Sequence, residues 1–273
     1  MKIEVILTPA ELPALARRDL RDAVCVVFDV LRATSTFVTA LHNGAKAVIP
    51  VSEIAEALAI RQKQPDVLLG GERNSMRIRA GQAGGIDFDF GNSPREYTPE
   101  KVRGKTIVST TTNGTRALRA CAGAKTILAA SFLNLTATAR FIQQLRPAQI
   151  VLICAGTHEN MADEDVLAAG ALCELLIREG ETTGEPKKEQ KYSGSRGRSP
   201  HPKNTHELSD SAKIAQRAYT QAKPDLTGAV RNSENGRRLL SVPELRDDVA
   251  FCLQHDTCPL IARMDADGSV RRQ

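Results

Sequence analysis

Seven short apolar runs, most of them separated by helical patterns, constrain the fold of this chain more than any other feature. The runs lie at residues 3–7, 24–30, 47–51, 67–69, 106–109, 126–130 and 150–154. Helical patterns lie at residues 53–63, 116–121, 137–145, 166–177 and 208–222, and a last strand is expected at 259–264. Strands that alternate with helices favour a mostly parallel sheet with covering helices. The sequence therefore predicts an α/β fold.

The second run leads directly into a cluster of polar residues. Residues 24–28 read V-C-V-V-F, which predicts a strand buried on both faces, and Asp29 and Arg32 follow it. Thr34 and Ser35 then open a helix. Open α/β sheets bind ligands at the carboxyl ends of their strands, and a helix N-terminus attracts anions. Helix capping also explains the hydroxyl residues and the Asp, but an Asp and an Arg together at one strand end favour a ligand site.

Two later segments place similar residues near a strand end. Glu72 and Arg73 end the G-G-E-R that follows the fourth run, which repeats the pairing of a carboxylate with an arginine. Asn92 and Ser93 lie in the G-N-S-P turn after an alternating apolar and acidic stretch. A solvated turn explains the first segment and an edge strand with an Asx turn explains the second, so both interpretations stay open.

The segment at residues 105–115, K-T-I-V-S-T-T-T-N-G-T, has the same form as the first motif: a strand, a hydroxyl cluster and the start of a helix. Thr111, Thr112, Asn113 and Gly114 are therefore candidate contacts for an anion, with backbone N–H groups around the glycine. The pattern is neither a Walker loop nor a dinucleotide-binding fingerprint.

Acidic residues open the helix after the seventh run. Glu164 and Asp165 suit the helix dipole and would be predicted there as caps, but carboxylates near a strand end also suit Mg²⁺. His158 is a lone histidine in a loop, which predicts a surface residue. Further along, Arg237 and Arg238 form another candidate anion contact.

The composition of the chain indicates which kinds of partner and location are expected. Its 273 residues carry a formal net charge of +5, only 4% aromatic residues and no Trp, which speaks against nucleic-acid binding. No apolar run reaches the roughly 18 residues of a membrane span. Six scattered cysteines without a C-x-x-C pair, and an N-terminus unlike a signal peptide, predict a reducing, cytoplasmic location. A small anionic substrate fits the arginine-bearing motifs best.

The expected architecture is one catalytic unit over residues 1–273, made of two α/β lobes divided at 1–100 and 101–273. A site would then lie in the cleft between the lobes, at the carboxyl ends of the strands. Residues 181–205 are rich in Gly, Pro, Ser and Lys, which predicts a flexible polar insertion. The sequence leaves the oligomeric state open, a homo-oligomer included.

Five segments in order along the chain resemble the 2-phosphosulfolactate phosphatase family. They read D-V-L-R-A-T-S-T, L-L-G-G-E-R, D-F-G-N-S-P, T-T-T-N-G-T, and C-A-G followed by E-D-V-L-A-A-G-A-L. The resemblance implies an α/β fold of two lobes and a Mg²⁺-dependent phosphatase. Its reaction would be hydrolysis of 2-phospho-3-sulfolactate to 3-sulfolactate and phosphate, a step of coenzyme M biosynthesis. Two departures are the long segment 74–85, which could change the pocket rim, and the polar insertion.

Site residues carry over from the resemblance by position. The catalytic candidates are Asp29, Arg32, Glu72 and Arg73. The substrate-binding candidates are Thr34, Ser35, Asn92, Ser93, Thr111, Thr112, Asn113 and Gly114. The candidate ligands of Mg²⁺ are Asp29, Glu72, Glu164 and Asp165, and Asp89 also matches a motif.

Two mechanisms and three functions remain open at this stage. Either a water activated at the metal attacks phosphorus, or Asp29 attacks it and forms an aspartyl phosphate. Besides the implied phosphatase, the chain could hydrolyse another phosphorylated hydroxy acid, or bind a phosphorylated or sulfonated metabolite without turnover. Carboxylates at three strand ends argue against the pure binder, because an anion gains nothing from them unless a cation lies between.

Overall fold

The computed structural model describes residues 1–182 and 207–273. In these ranges the strands are β1 (Lys2–Ile6), β2 (Ala23–Phe28), β3 (Ala47–Val51), β4 (Leu68–Arg73), β5 (Met76–Arg77), β6 (Thr106–Thr110), β7 (Thr126–Ala130), β8 (Gln149–Cys154), β9 (Glu207–Leu208), β10 (Ala262–Met264) and β11 (Val270–Arg272). The helices are α1 (Leu12–Leu15), α2 (Ala33–His42), α3 (Ile54–Lys63), α4 (Pro99–Val102), α5 (Gly114–Ala120), α6 (Leu135–Leu145), α7 (Asp163–Thr182), α8 (Asp210–Ala222), α9 (Leu226–Arg231), α10 (Glu234–Leu240) and α11 (Arg246–Cys252).

The strands form one sheet that consists of two parallel blocks. One block contains β4, β6 and β3, and the other contains β7, β2, β8 and β1. The antiparallel hairpin of β10 and β11 joins them, with β10 beside β7 and β11 beside β3. Because all three of these pairings are antiparallel, the two blocks run in opposite directions. The short strands β5 and β9 lie at the two edges of the sheet.

Strand β2 is buried on both faces, as its continuous apolar run predicts. Val24, Val26 and Phe28 belong to a core cluster that α6, α7 and α8 cover, whereas Cys25 and Val27 belong to a cluster on the opposite face. The opposite face is covered by α1, α2 and α5. Alternate residues of a strand point to opposite faces, so both faces bury apolar area that stabilises the sheet by about 25 cal/mol per Å².

The structure confirms an α/β fold with a large, mostly parallel sheet and covering helices. Residues 1–100 and 101–273 each contribute strands to both blocks, and the division of the chain at residue 100 stays a prediction. Within the predicted polar insertion, α7 extends through residue 182, and residues 183–205 lie outside the described residues. No helix in the described ranges is long and apolar enough to span a membrane.

Candidate functional site

A cavity of about 130 Å³ lies where the carboxyl ends of the two blocks meet. Its wall includes Asp29 after β2, Glu72 near the end of β4, Thr112 after β6 and Gly156 after β8. As predicted, side chains from the carboxyl ends of several strands lie around one cavity. The strands belong to two blocks of opposite direction rather than to one parallel sheet. The cavity size suits a small polar molecule.

Asp29 presents one carboxylate oxygen to this cavity. The backbone N–H of Ala33 donates to its Oδ1 at 3.0 Å, and Thr34 Oγ1 accepts from the Asp29 N–H at 3.0 Å. In the described part of the chain, Asp29 Oδ2 accepts no hydrogen bond. The pKa of Asp29 is raised to about 6, mainly by burial, with the Ala33 hydrogen bond opposing the shift and the charges of Glu72 and Glu164 adding to it. A nearby cation would favour the ionised form.

Arg32 is fixed by a buried ion pair. Its NH1 group lies 2.7 Å from Asp248 Oδ2 on α11, and its NH2 group donates to the Ser75 carbonyl at 2.7 Å. Ser93 Oγ donates to the other oxygen of Asp248 at 2.7 Å. Arg32 is only 3% exposed, and the two partners hold its guanidinium in one orientation on the cavity wall.

Glu72 connects the ends of β4 and β6. Its Oε1 accepts hydrogen bonds from the N–H of Thr112 at 2.9 Å and from Thr112 Oγ1 at 2.8 Å. Its Oε2 accepts from the Ser75 N–H at 2.8 Å. A carboxylate has about four acceptor positions, so Glu72 keeps capacity for one more partner while it stays fixed in place.

Glu164 and Asp165 lie behind the cavity wall and hold neighbouring segments together. Asp165 accepts from the N–H groups of Val30 at 2.8 Å and Gly156 at 3.0 Å, and Glu164 accepts from Asn235 Nδ2 at 2.6 Å. Burial raises the pKa of both carboxyls, and the Asp29 charge raises that of Asp165 further. Their side chains are not on the cavity surface.

The predicted substrate-binding residues divide into two groups. Asn92, Thr112 and Asn113 line the cavity, and Asn92 Oδ1 is buried without a hydrogen-bond partner in the described structure. An unpaired buried acceptor costs about 1–3 kcal/mol, which a bound donor or cation would relieve. This amide therefore supports a ligand site.

The other group makes internal contacts. Thr34 Oγ1 accepts from the Asp29 N–H, and Ser35 Oγ donates to the Val30 carbonyl at 2.8 Å. Thr111 Oγ1 accepts from the Thr115 N–H at 3.3 Å. Ser93 Oγ holds Asp248. Gly114 acts through its lack of a side chain, because a Cβ there would come within 2.5 Å of Asp29 Oδ2.

Arg73 and Asp89 lie apart from the cavity surface. Arg73 donates to the Glu72 carbonyl at 2.7 Å and to Thr110 Oγ1 at 3.1 Å. Asp89 pairs with Arg61 at 2.9 Å and accepts from the Leu69 N–H at 2.7 Å. These contacts stabilise the block of β4, β6 and β3.

Sequence reasoning missed several residues of the wall. His158 is exposed, as predicted, and also lines the cavity. The Asn113 side chain holds the His158 backbone by accepting from its N–H at 3.2 Å and donating to its carbonyl at 2.9 Å. Asn74 and Ser75, both at positive φ in the turn between β4 and β5, also contribute. The only sequence signal for the turn was the unusual length of segment 74–85.

Two of the four predicted Mg²⁺ ligands, Asp29 and Glu72, lie on the cavity wall. Within the described ranges, no group of three or more His, Cys, Asp or Glu side chains is arranged to hold a metal ion. Asp29 and Glu72 nevertheless both line the cavity, the charge of Glu72 contributes to the raised pKa of Asp29, and hard oxygen ligands suit Mg²⁺. Both carboxylate oxygens of Glu164 and of Asp165 already accept hydrogen bonds from protein donors.

Comparison with known proteins gives one consistent family. A model of the 2-phosphosulpholactate phosphatase family matches residues 7–267. A protein of Thermotoga petrophila named as a probable 2-phosphosulfolactate phosphatase is 37% identical over 254 residues, which cover 93% of this chain and 91% of that protein. One of Clostridium acetobutylicum with the same name is 32% identical over 262 residues, or 96% of each chain.

A third relative matches over a shorter stretch. The probable 2-phosphosulfolactate phosphatase of Caldanaerobacter subterraneus is 48% identical over 161 residues, which cover 58% of this chain and 64% of that protein. These matches confirm the resemblance drawn from the motifs. They also confirm, at the level of the family, the prediction of a phosphoric monoester hydrolase. The chain belongs to the 2-phosphosulpholactate phosphatase family.

Proposed function

We propose that this protein is a Mg²⁺-dependent phosphatase that hydrolyses 2-phospho-3-sulfolactate to 3-sulfolactate and phosphate. The observation that carries the proposal is that Asp29, whose Oδ2 accepts no hydrogen bond from the described residues, lines a small cavity together with Glu72 and Arg32. Membership of the family supports the substrate, which the names of the relatives state for those proteins. The coenzyme M pathway is the context that we propose for the product.

Asp29 and Glu72 are the residues that would hold the cation. When bound, Mg²⁺ would supply positive charge that neutralises phosphate oxygens and developing negative charge in the transition state. Glu72 stays in position through Thr112 and Ser75, and Asp29 through the Ala33 N–H. Glu164 is a neighbour of Asp29 whose charge adds to the negative field of the site.

Arg32 would bind the transferred phosphoryl group. Its guanidinium is held from behind by Asp248 and Ser75, so its position does not have to be ordered when the substrate binds. A fixed donor of this kind stabilises negative charge more than a mobile one, because no reorganisation accompanies the reaction.

Asp29 Oδ2 is the candidate nucleophile or base. Its pKa of about 6 leaves it ionised near neutral pH, and its other oxygen is used by the Ala33 N–H. In one route Oδ2 attacks phosphorus, the ester P–O bond breaks as the leaving alkoxide takes a proton from water, and a second water then hydrolyses the aspartyl phosphate to phosphate and free Asp29. In the other route Oδ2 takes a proton from a water that attacks phosphorus while the ester P–O bond breaks, and the leaving alkoxide receives a proton. Acid quenching during turnover, followed by mass spectrometry of the peptide that contains Asp29, separates the two routes, because only the first leaves a phosphoryl group on this residue.

Another phosphorylated hydroxy acid is the second candidate substrate. The observation that favours it is that Asn74 and Ser75, from a segment longer than expected in the family, form part of the cavity wall. A changed wall alters which group can lie beside the phosphate. The reaction class would stay the same.

The test is phosphate release by the purified protein from 2-phosphosulfolactate, 2-phospholactate and 2-phosphoglycerate, each with Mg²⁺ and with EDTA. We expect release from 2-phosphosulfolactate that depends on Mg²⁺ and exceeds release from the other two. Preference for either of the other substrates would favour the second candidate. No release from any substrate, together with calorimetric binding of 3-sulfolactate, would leave a binding protein without turnover.

A further inference from the structure

Arg238 lies on the cavity wall, and most of its N–H donors have no partner among the described residues. It belongs to α10, and its NH2 group donates to Asn235 Oδ1 at 2.6 Å. Its Nε is buried and has no partner among the residues that the structure describes. A guanidinium has five N–H donors, so several of them remain for a ligand.

The charge of Arg238 also lacks a counter-ion in the described part of the chain. Arg32, the other arginine of the cavity wall, is neutralised by its buried ion pair with Asp248. Within residues 1–182 and 207–273, the Arg238 guanidinium donates one hydrogen bond, to the neutral amide of Asn235, and has no carboxylate in ion-pair distance. A partly buried cation without a counter-ion beside a small polar cavity favours an anionic ligand.

The position of Arg238 is set by the residue that it contacts. Asn235 Nδ2 donates both to Thr157 Oγ1 and to Glu164 Oε1, at 2.6 Å in each case. These two bonds orient the amide so that its Oδ1 faces Arg238. The guanidinium is therefore held at a fixed place on the wall before a ligand arrives, which reduces the entropic cost of binding.

We propose that Arg238 binds an acidic group of the substrate that is not transferred, the carboxylate or the sulfonate of the hydroxy acid. This inference rests on the proposed function. Arg32 then takes the phosphoryl group, and Arg238 fixes the other end of the molecule and selects substrates that carry a second acidic group. Planar donor pairs of arginine match both carboxylate and sulfonate oxygens.

Arg237 provides a matched control from the same helix. It is exposed, donates to the backbone carbonyl of Asn232, and is not on the cavity surface. Replacing either arginine by glutamine removes one positive charge at adjacent positions of α10. Only Arg238→Gln should change the binding of an acid in the cavity.

The first experiment measures binding of 3-sulfolactate by calorimetry in Mg²⁺ buffer. We expect Arg238→Gln to weaken binding by about 10- to 100-fold, the size of a lost charge-assisted hydrogen bond, and Arg237→Gln to leave it unchanged within about twofold. Lactate and isethionate carry the carboxylate and the sulfonate separately, so the one whose binding falls identifies the group. Arg238→Lys, which keeps the charge but not the fork, should bind at an intermediate level and serves if the glutamine variant does not fold.

The second experiment measures phosphate release from 2-phosphosulfolactate and from p-nitrophenyl phosphate, which has no second acidic group. We expect Arg238→Gln to lower kcat/KM for the first substrate at least 10 times more than for the second. Equal losses for the two substrates would indicate that Arg238 binds the phosphate and would overturn the inference. The inference would also be overturned if Arg238→Gln bound 3-sulfolactate as tightly as the wild type, or if the wild type did not bind it. If the wild type binds 3-sulfolactate through Arg238 but releases no phosphate, the proposed function fails and the inference about Arg238 stands.

Discussion

Replacing Asp29 by asparagine should stabilise the protein while it abolishes activity. The carboxyl is 9% exposed, and its pKa rises from 3.8 to about 6 because burial and the neighbouring carboxylates disfavour its ionised form. Asparagine keeps an oxygen that can accept from the Ala33 N–H and removes the charge. Above pH 6 the wild-type protein therefore carries a destabilising charge at position 29, and the variant does not.

The size of the effect follows from linkage between folding and protonation. Between about pH 4 and 6 the folded state binds more protons at Asp29 than the unfolded state, so the free energy of unfolding falls as pH rises through this window. A shift of about 2 pKa units corresponds to about 3 kcal/mol. The advantage of Asp29→Asn should thus grow from about 1–2 kcal/mol at pH 5 to about 3 kcal/mol at pH 8.

The assay is urea unfolding at pH 5 and pH 8 in EDTA, so that no divalent cation offsets the charge. Asp22→Asn is the control, because Asp22 is exposed and the same substitution there should change stability by less than about 0.5 kcal/mol. A variant at position 29 that is less stable than the wild type at pH 8, or equally more stable at both pH values, would refute the reasoning.

Three further substitutions test individual contacts. Asp248→Asn leaves the buried Arg32 guanidinium without its counter-charge and should lower the free energy of unfolding by about 3 kcal/mol, measured by urea unfolding; a change below 0.5 kcal/mol is the contrary result. Gly114→Ala places a Cβ 2.5 Å from Asp29 Oδ2 and should lower kcat/KM about 100-fold in phosphate-release assays, and retention of full activity would contradict the assigned geometry. Arg73→Gln should lower stability by about 1–2 kcal/mol and kcat/KM by less than about threefold, and a larger kinetic loss would return this residue to the catalytic set.

Much of the fold could be predicted from local patterns. The run from Val24 to Phe28 is apolar at every position, and only a strand covered on both faces buries every residue of such a segment. The alternation of strands with helices then predicted a mostly parallel sheet with covering helices. The opposite direction of the two blocks was beyond prediction, because it depends on the β10–β11 hairpin near the end of the chain, whose strands are only three residues long.

The core of the site was predictable for a similar reason. Asp29 and Glu72 each come at the end of a buried strand, where an ionisable side chain has no packing role, so their types and positions indicate a ligand site. Thr111, by contrast, has the same signal as Thr112 but makes an internal hydrogen bond with Thr115. Neighbouring residues after a strand point in different directions, and only packing decides which one faces the cavity.

Long-range partners could not be inferred. Asp248 and Arg32 are 216 residues apart, and no local pattern in α11 indicates that its buried acid holds an arginine of the cavity. Adjacent arginines of a helix lie about 100° apart around its axis, so Arg237 and Arg238 have equal signals in sequence but different surroundings. The docking of α10 against Glu164 and Thr157 through Asn235 selects Arg238.

The most direct test of the proposed chemistry is the rate of phosphate release from 2-phosphosulfolactate by the wild type and Asp29→Asn, each at saturating Mg²⁺ and after EDTA. We predict release by the wild type only with Mg²⁺, and a loss of at least about 1,000-fold in kcat for the variant, because Asp29 would both hold the cation and serve as nucleophile or base. Wild-type release that survives EDTA, or an Asp29→Asn variant that retains more than a tenth of the wild-type rate, would contradict the assignment of this cavity as a Mg²⁺-dependent phosphatase site.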